Sequence, residues 1–252
     1  MKLLLLLAGS LAFAQPRDLQ LFLLIGQSNM AGRGKIEEAD RVPIPRVLML
    51  TKDLQWVPAV DPVHFDSPSR VGVGIARTFG RVLADANPSA TIGLIPAAVG
   101  ATSLDQWKPG GKLYVDAVRR AREAMKSGRL RGILWHQGEG DCTAELAPTY
   151  RDRFADFIAR LRTDLDAADV PVVVGELGEY LMKPGDRHVY ARAVNEQLAL
   201  IPLKVPHSGF VSSAGLVSKE DGVHFDSPSA REFGRRYALA FMALDPAWAP
   251  LR

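Results

Sequence analysis

Ser28 stands where a hydroxyl could do chemistry. It follows the apolar run Leu21-Phe22-Leu23-Leu24-Ile25, which has strand length and reads as a strand buried on both faces. The run breaks at Gly26 into the polar trio Gln27-Ser28-Asn29. A strand that ends this way delivers its hydroxyl to the carboxyl edge of a sheet, where open α/β sheets bind ligands. Taken locally, the same trio could equally cap the next helix. The rest of the chain favours the nucleophile. Asp221 stands three residues before His224, ahead of a final helical stretch. Serine is a weak nucleophile until a base takes its proton. Imidazole is the usual base, and a carboxylate can hold it in the right tautomer. A developing oxyanion needs preorganised donors, which the Ser28 and Gly100 amides and the Gln137 side chain could supply.

Two further features compete for roles. The segment 61–69, Asp-Pro-Val-His-Phe-Asp-Ser-Pro-Ser, recurs at 221–229 with one difference in nine, so His64 is a second possible base. Gly222 lets the second copy turn tightly and keeps an amide donor, whereas Pro62 fixes φ and removes one. The first copy is expected to line the cleft, or to cap the following helix through Ser67 or Ser69. His136 and Glu139 invite a metal reading, but no further His or Cys cluster completes a site. Neither metal nor cofactor is expected. Gln27, Asn29, His64, Trp107, His136 and Glu139 are expected to brace the reacting groups or to contact substrate. Trp107 and Trp135 lie near the site, where one could stack on a sugar ring, though a buried core position fits them equally well. His188 and His207, in polar surroundings, read as surface residues. Cys142 cannot form an internal disulfide, and its neighbours Glu139 and Asp141 would raise a thiol pKa rather than lower it, so it reads as a bystander.

The elements that must position these groups alternate. Strands are predicted at 46–50, 91–97, 131–135 and 171–175, with an edge strand at 209–213. Helices are predicted at 74–86, 113–125, 148–165, 189–200 and 230–244. Such alternation implies a parallel sheet covered on both faces. Gly72 and Gly74 do not make a dinucleotide loop, because the third position is Arg77 and no buried strand precedes them.

The chain has 252 residues, 47% hydrophobic and 23% charged, as expected of a globular protein that needs no disulfides or metals to fill a core. Residues 1–14 have the form of a signal peptide: Lys2, an apolar run too short to span a bilayer, and Ala12-Phe13-Ala14 as a peptidase site. Cleavage before Gln15 is expected, leaving 15–252 as a single domain exported to the periplasm or the medium. A net charge of +3, or +2 without Lys2, gives no argument for nucleic acid or an anionic membrane.

The blocks Gly26-Gln27-Ser28-Asn29-Met30, Gly100, His136-Gln137-Gly138-Glu139 and Asp221-x-x-His224 together resemble the SGNH hydrolase superfamily. Within it they are most similar to the acetylesterase branch of carbohydrate esterase family six and the sialate O-acetylesterases. The resemblance covers residues 15–252 in order. It implies a three-layer α/β/α sandwich on a parallel, flavodoxin-like sheet. It also implies Ser28 as nucleophile, His224 as base, Asp221 as its orienter, and Ser28, Gly100 and Gln137 as the oxyanion hole. Gln137 stands where the wider superfamily has Asn. The expected activity is removal of O-acetyl groups from carbohydrate of acetylated xylan or sialic acid type, through an acyl-serine intermediate. The alternatives are an esterase for lipid or simple aryl esters, and a noncatalytic carbohydrate-binding protein on the same fold.

Overall fold

The computed structural model describes residues 16–182 and 188–248. The expected signal peptide therefore lies outside the described residues. Seven strands form one sheet: β1 (Leu19–Gly26), β2 (Val47–Leu50), β3 (Trp56–Pro58), β4 (Ile92–Pro96), β5 (Gly128–His136), β6 (Val172–Gly175) and β7 (Ser208–Val211). Their order is β3-β2-β4-β1-β5-β6-β7. Every pairing is parallel except β2 with β3. The five strands β4-β1-β5-β6-β7 have the 2-1-3-4-5 order of a flavodoxin-like sheet. The β2–β3 hairpin extends it at one edge.

Between the strands run α1 (Ser28–Ala31), α2 (Ala76–Ala86), α3 (Lys112–Ala124), α4 (Tyr150–Asp164), α5 (Ala191–Ala199) and α6 (Ser227–Leu244). Successive strand residues point to opposite faces, which places the helical layers. Phe22 of β1 meets Phe79 of α2 and Phe241 of α6, each edge-on at 4.9 Å between ring centres. Trp135 of β5 is in register with Ile25, which has the opposite parity to Phe22, and it meets Phe154 and Phe157 of α4. So α2 and α6 cover one face, and α4 covers the other, with α3 beside it through Tyr114 and Phe157. Each edge-on pair adds roughly 0.5–1.5 kcal/mol beyond the area it buries. β1 is buried almost throughout, as its unbroken apolar run requires.

The predicted strands and helices all form, with ends displaced by a few residues. β3 was not predicted. It is three residues long and pairs only with β2, so it offers almost no periodicity to read. No helix among the described residues is long and apolar enough to cross a membrane.

Candidate active site

β1 lies between β4 and β5, where the strand order reverses, and a ligand cleft is expected outside the carboxyl ends of these strands. A cleft of about 430 Å³ lies there, lined by Gln27, Ser28, Arg33, Gly100, Glu139 and His224 among others. A wider hollow of about 750 Å³ beside Gly128, Arg131 and Asp245 lies at the opposite edge; His207 and Asp169 stand on its wall, but no serine does.

Ser28 leaves β1 as the first residue of α1. Its Oγ lies 2.9 Å from His224 Nε2, and His224 Nδ1 lies 2.8 Å from Asp221 Oδ2. The other carboxylate oxygen, Oδ1, accepts from the Val223 and His224 amides, each at 2.9 Å. Burial pushes the Asp221 carboxyl up, but the bonds from the His224 side chain and these two amides outweigh it, so the net shift is well below the ordinary range. Lys219 Nζ, 3.3 Å from Asp221 Oδ2, adds a positive charge. The loop that folds the carboxylate onto its own imidazole passes through Gly222 at φ 68°, a left-handed conformation that glycine adopts without steric cost.

Asn29 ties the two ends of the chain together. Its Nδ2 donates to Glu139 Oε1 at 2.7 Å and to Val223 O at 3.2 Å, and its Oδ1 accepts from the Phe225 amide. Tyr180 also donates to Val223 O. The histidine loop is thus held against the serine turn by bonds on both sides of His224.

Two of the three expected oxyanion donors are engaged elsewhere. The Gln137 side chain is fully buried. Its Nε2 donates to Thr102 O at 2.9 Å and Asp141 Oδ2 at 2.7 Å, and its Oε1 accepts from Tyr150. Both amide hydrogens are consumed in holding the 102 and 141 turns together. The Gly100 amide donates to Asp66 Oδ2 at 2.8 Å. Gly100 itself still lies against Ser28, since a Cβ placed there would meet Ser28 Cβ at 3.3 Å and Arg33 Nη2 at 2.5 Å. Of the expected donors, the Ser28 amide alone has no protein acceptor among the described residues.

Asp66 and Arg33 are what sequence reasoning missed. Arg33 Nη2 bonds Asp66 Oδ2 at 2.7 Å, with the two side chains 4% and 2% exposed. Burial raises the Asp66 carboxyl, and the Arg33 guanidinium and Gly100 amide bring it below the ordinary range. The repeated segment carried a signal: Asp66 matches Asp226, which caps α6 by accepting from the Ser229 amide. The first copy does not cap α2, which starts only at Ala76. It supplies a brace for the Gly100 turn instead.

The other singled-out residues are placed as follows, some against expectation. His64 is buried and is not at the cleft wall, and burial pushes its pKa down to about 4. Trp107 is fully buried, packed edge-on to Trp135 at 5.6 Å and donating to Thr102 Oγ1, so neither indole can meet a sugar. His188 is a buried residue of the cleft wall, not a surface residue. His207 is exposed beside Asp169. His136 is fully enclosed near Phe225, Phe233 and Tyr237, and burial lowers its pKa. It lies at the end of β5 and is not part of the cleft wall. Cys142 is buried, its thiol donating to Gly138 O at 3.4 Å. No group of three or more His, Cys, Asp or Glu among the described residues is placed to hold a metal ion.

A flavodoxin-like sheet with serine, imidazole and carboxylate joined in a chain at its switch point defines an SGNH-type esterase. Comparison with known proteins narrows the class. Residues 18–243 match the family described as carbohydrate esterase, sialic acid-specific acetylesterase, and the chain belongs to that family. A probable carbohydrate esterase of Arabidopsis thaliana is 31% identical over 247 residues, covering 89% of this chain and 90% of its own. The crystal structure of that plant protein superposes with a TM-score of 0.81 at 30% identity, covering 89% of this chain and 98% of the other. NanS shares the fold at a TM-score of 0.77 and 18% identity, over 92% of this chain and 98% of its own. A carbohydrate acetylesterase from Xanthomonas citri does so at 0.69 and 18%, over 90% of this chain and 57% of the other. The protein is a carboxylic ester hydrolase.

Proposed function

We propose that this enzyme removes O-acetyl groups from carbohydrate by an acyl-serine mechanism. The observation that carries the reading is the unbroken chain Asp221–His224–Ser28, with its two links at 2.8 and 2.9 Å. His224 Nε2 takes the Ser28 proton as Oγ attacks the acetyl carbonyl. Asp221 holds the imidazole with Nδ1 protonated and stabilises the imidazolium. The oxyanion then faces the Ser28 amide, with the Arg33 guanidinium, held in its pair with Asp66, on the same wall. His224 next gives its proton to the leaving alcohol. Water repeats the attack on the acetyl-serine with His224 again as base, releasing acetate. The chemistry uses no cofactor.

The cleft wall supports a polar alcohol rather than a lipid chain. Arg33, Arg70, Gln27, Glu139 and His188 line it, with only small apolar groups such as Ala101 and Val223 between them. Substrates of acetylated xylan or sialic acid type both fit this lining. We further propose export directed by residues 1–14, on the strength of their sequence pattern.

The test is acetate release from acetylated xylan, acetylated sialic acid and aryl acetates. Preference for one of the sugars by kcat/KM supports the proposal. Turnover of aryl acetates alone overturns it.

A further inference from the structure

The catalytic chain leaves two polar atoms on the cleft wall unaccounted for. Glu139 is 8% exposed; its Oε1 accepts from Asn29 at 2.7 Å, but its Oε2 is buried with no protein partner. Gln27 is 3% exposed, and its Oε1 is likewise buried without a partner. Both residues line the cleft that holds Ser28 and His224. Buried polar groups in folded proteins find partners, and one left alone costs the full desolvation of that group. Two such atoms beside a nucleophile therefore point to a partner that arrives with the substrate.

The chemistry of the pair says which part of the substrate it meets. A carboxylate oxygen accepts and cannot donate, so it would repel the oxyanion that forms on the carbonyl. Glu139 therefore belongs to the alcohol side of the ester. A sugar hydroxyl suits both side chains at once: its one hydrogen is donated to Glu139 Oε2 and its oxygen accepts from Gln27 Nε2, while Gln27 Oε1 takes a hydrogen from a second donor that arrives with the substrate. Gln27 and Asn29 flank Ser28 in the chain, and Asn29 holds Glu139, so the subsite lies next to the reacting ester.

We propose that Glu139 Oε2 and the Gln27 amide form a subsite for a free hydroxyl on the carbon neighbouring the acetylated one. This pair sets the preference for polyhydroxylated alcohols over simple ones. The inference rests on the carbohydrate-esterase reading and assigns its specificity to two residues.

The experiment compares two substrates, a methyl xylopyranoside monoacetate with a free neighbouring hydroxyl and its counterpart deoxygenated there, with an aryl acetate run alongside. Wild-type kcat/KM should fall by about tenfold or more when the hydroxyl is absent, as it does when a site built to bond a hydroxyl meets an analogue lacking one. In Glu139→Gln, which keeps an oxygen for Asn29, that discrimination should shrink below about threefold. Gln27→Ala should shrink it too, and it serves if Glu139→Gln fails to fold. Equal wild-type rates on the two sugars, or full discrimination retained in the folded variants, overturns the subsite alone. Turnover of the aryl acetate with neither sugar consumed overturns the carbohydrate reading and the subsite with it.

Discussion

Ser28 and the two histidines that could serve it allow the most direct tests. Ser28→Ala removes a small polar group at the end of β1 and should leave the fold intact while lowering kcat by about 10⁴-fold or more. Acetate release by the folded variant near the wild-type rate would refute the assignment. The repeated segment calls for a paired measurement. His224→Ala should lower kcat by orders of magnitude, because the imidazole stands 2.9 Å from the Ser28 hydroxyl. His64→Ala should act on stability instead, since His64 is buried in the core behind the cleft wall. A reversal of the two effects would show that the first copy supplies the base. At this scale much of the site was legible. A serine at a strand end and a carboxylate three residues before a histidine are local patterns, and glycine at 222 matches the φ that the turn requires. The direction of the Gly100 amide was not legible, because a carboxylate 34 residues away in sequence decides it.

Among the elements, the turn after β4 shows how the site is held open. Arg33, Asp66 and Gly100 come from three separate segments and meet in one buried cluster. Asp66→Ala would leave the Arg33 guanidinium uncompensated in a place almost closed to water. Breaking a buried pair from one side costs about 3–5 kcal/mol. Denaturant unfolding should show a loss of that size, and a change below about 1 kcal/mol would mean that the pair is solvated or replaceable. Asp66→Asn keeps an acceptor for the Gly100 amide and should lose less. Strands and helices were legible because their periodicity is written over many residues. The edge strand β3 was not, having three residues and one neighbour. The indoles were left open between core and sugar for a related reason: nearness in sequence to the catalytic blocks says nothing about which face a side chain takes, and Trp135 points from the sheet into the α4 layer.

For the whole molecule, the same repeat leads to a prediction about pH and stability. Burial pushes the Asp61 carboxyl up to about 7, against an ordinary value of 3.8. A carboxyl raised on folding binds its proton more tightly in the native state. Its contribution is therefore fully present below pH 3.8 and is lost as pH rises toward 7. Asp61→Asn removes that linkage and can still accept from the Gly74 amide. The variant should be more stable than wild type at pH 8, by on the order of a few kcal/mol, with the difference shrinking in acid. Thermal unfolding of both proteins from pH 4 to 8 gives the answer, and parallel curves would show that Asp61 titrates as it does unfolded. Prolonged chelation is a separate check: turnover should be unchanged, and a loss restored by one divalent ion would force a metal into the mechanism.

The separation of 196 positions between Ser28 and His224 has a consequence for how the enzyme comes into being. During synthesis the nucleophile leaves the ribosome early, whereas its base arrives only two residues ahead of the cap of α6. Until that helix docks on Phe22 and Phe79, the growing chain carries a serine with no proton acceptor. On the proposed mechanism, hydrolytic competence is thus switched on late and all at once. The onset of acetate release in a cell-free translation reaction would time the closing of the last layer of the fold.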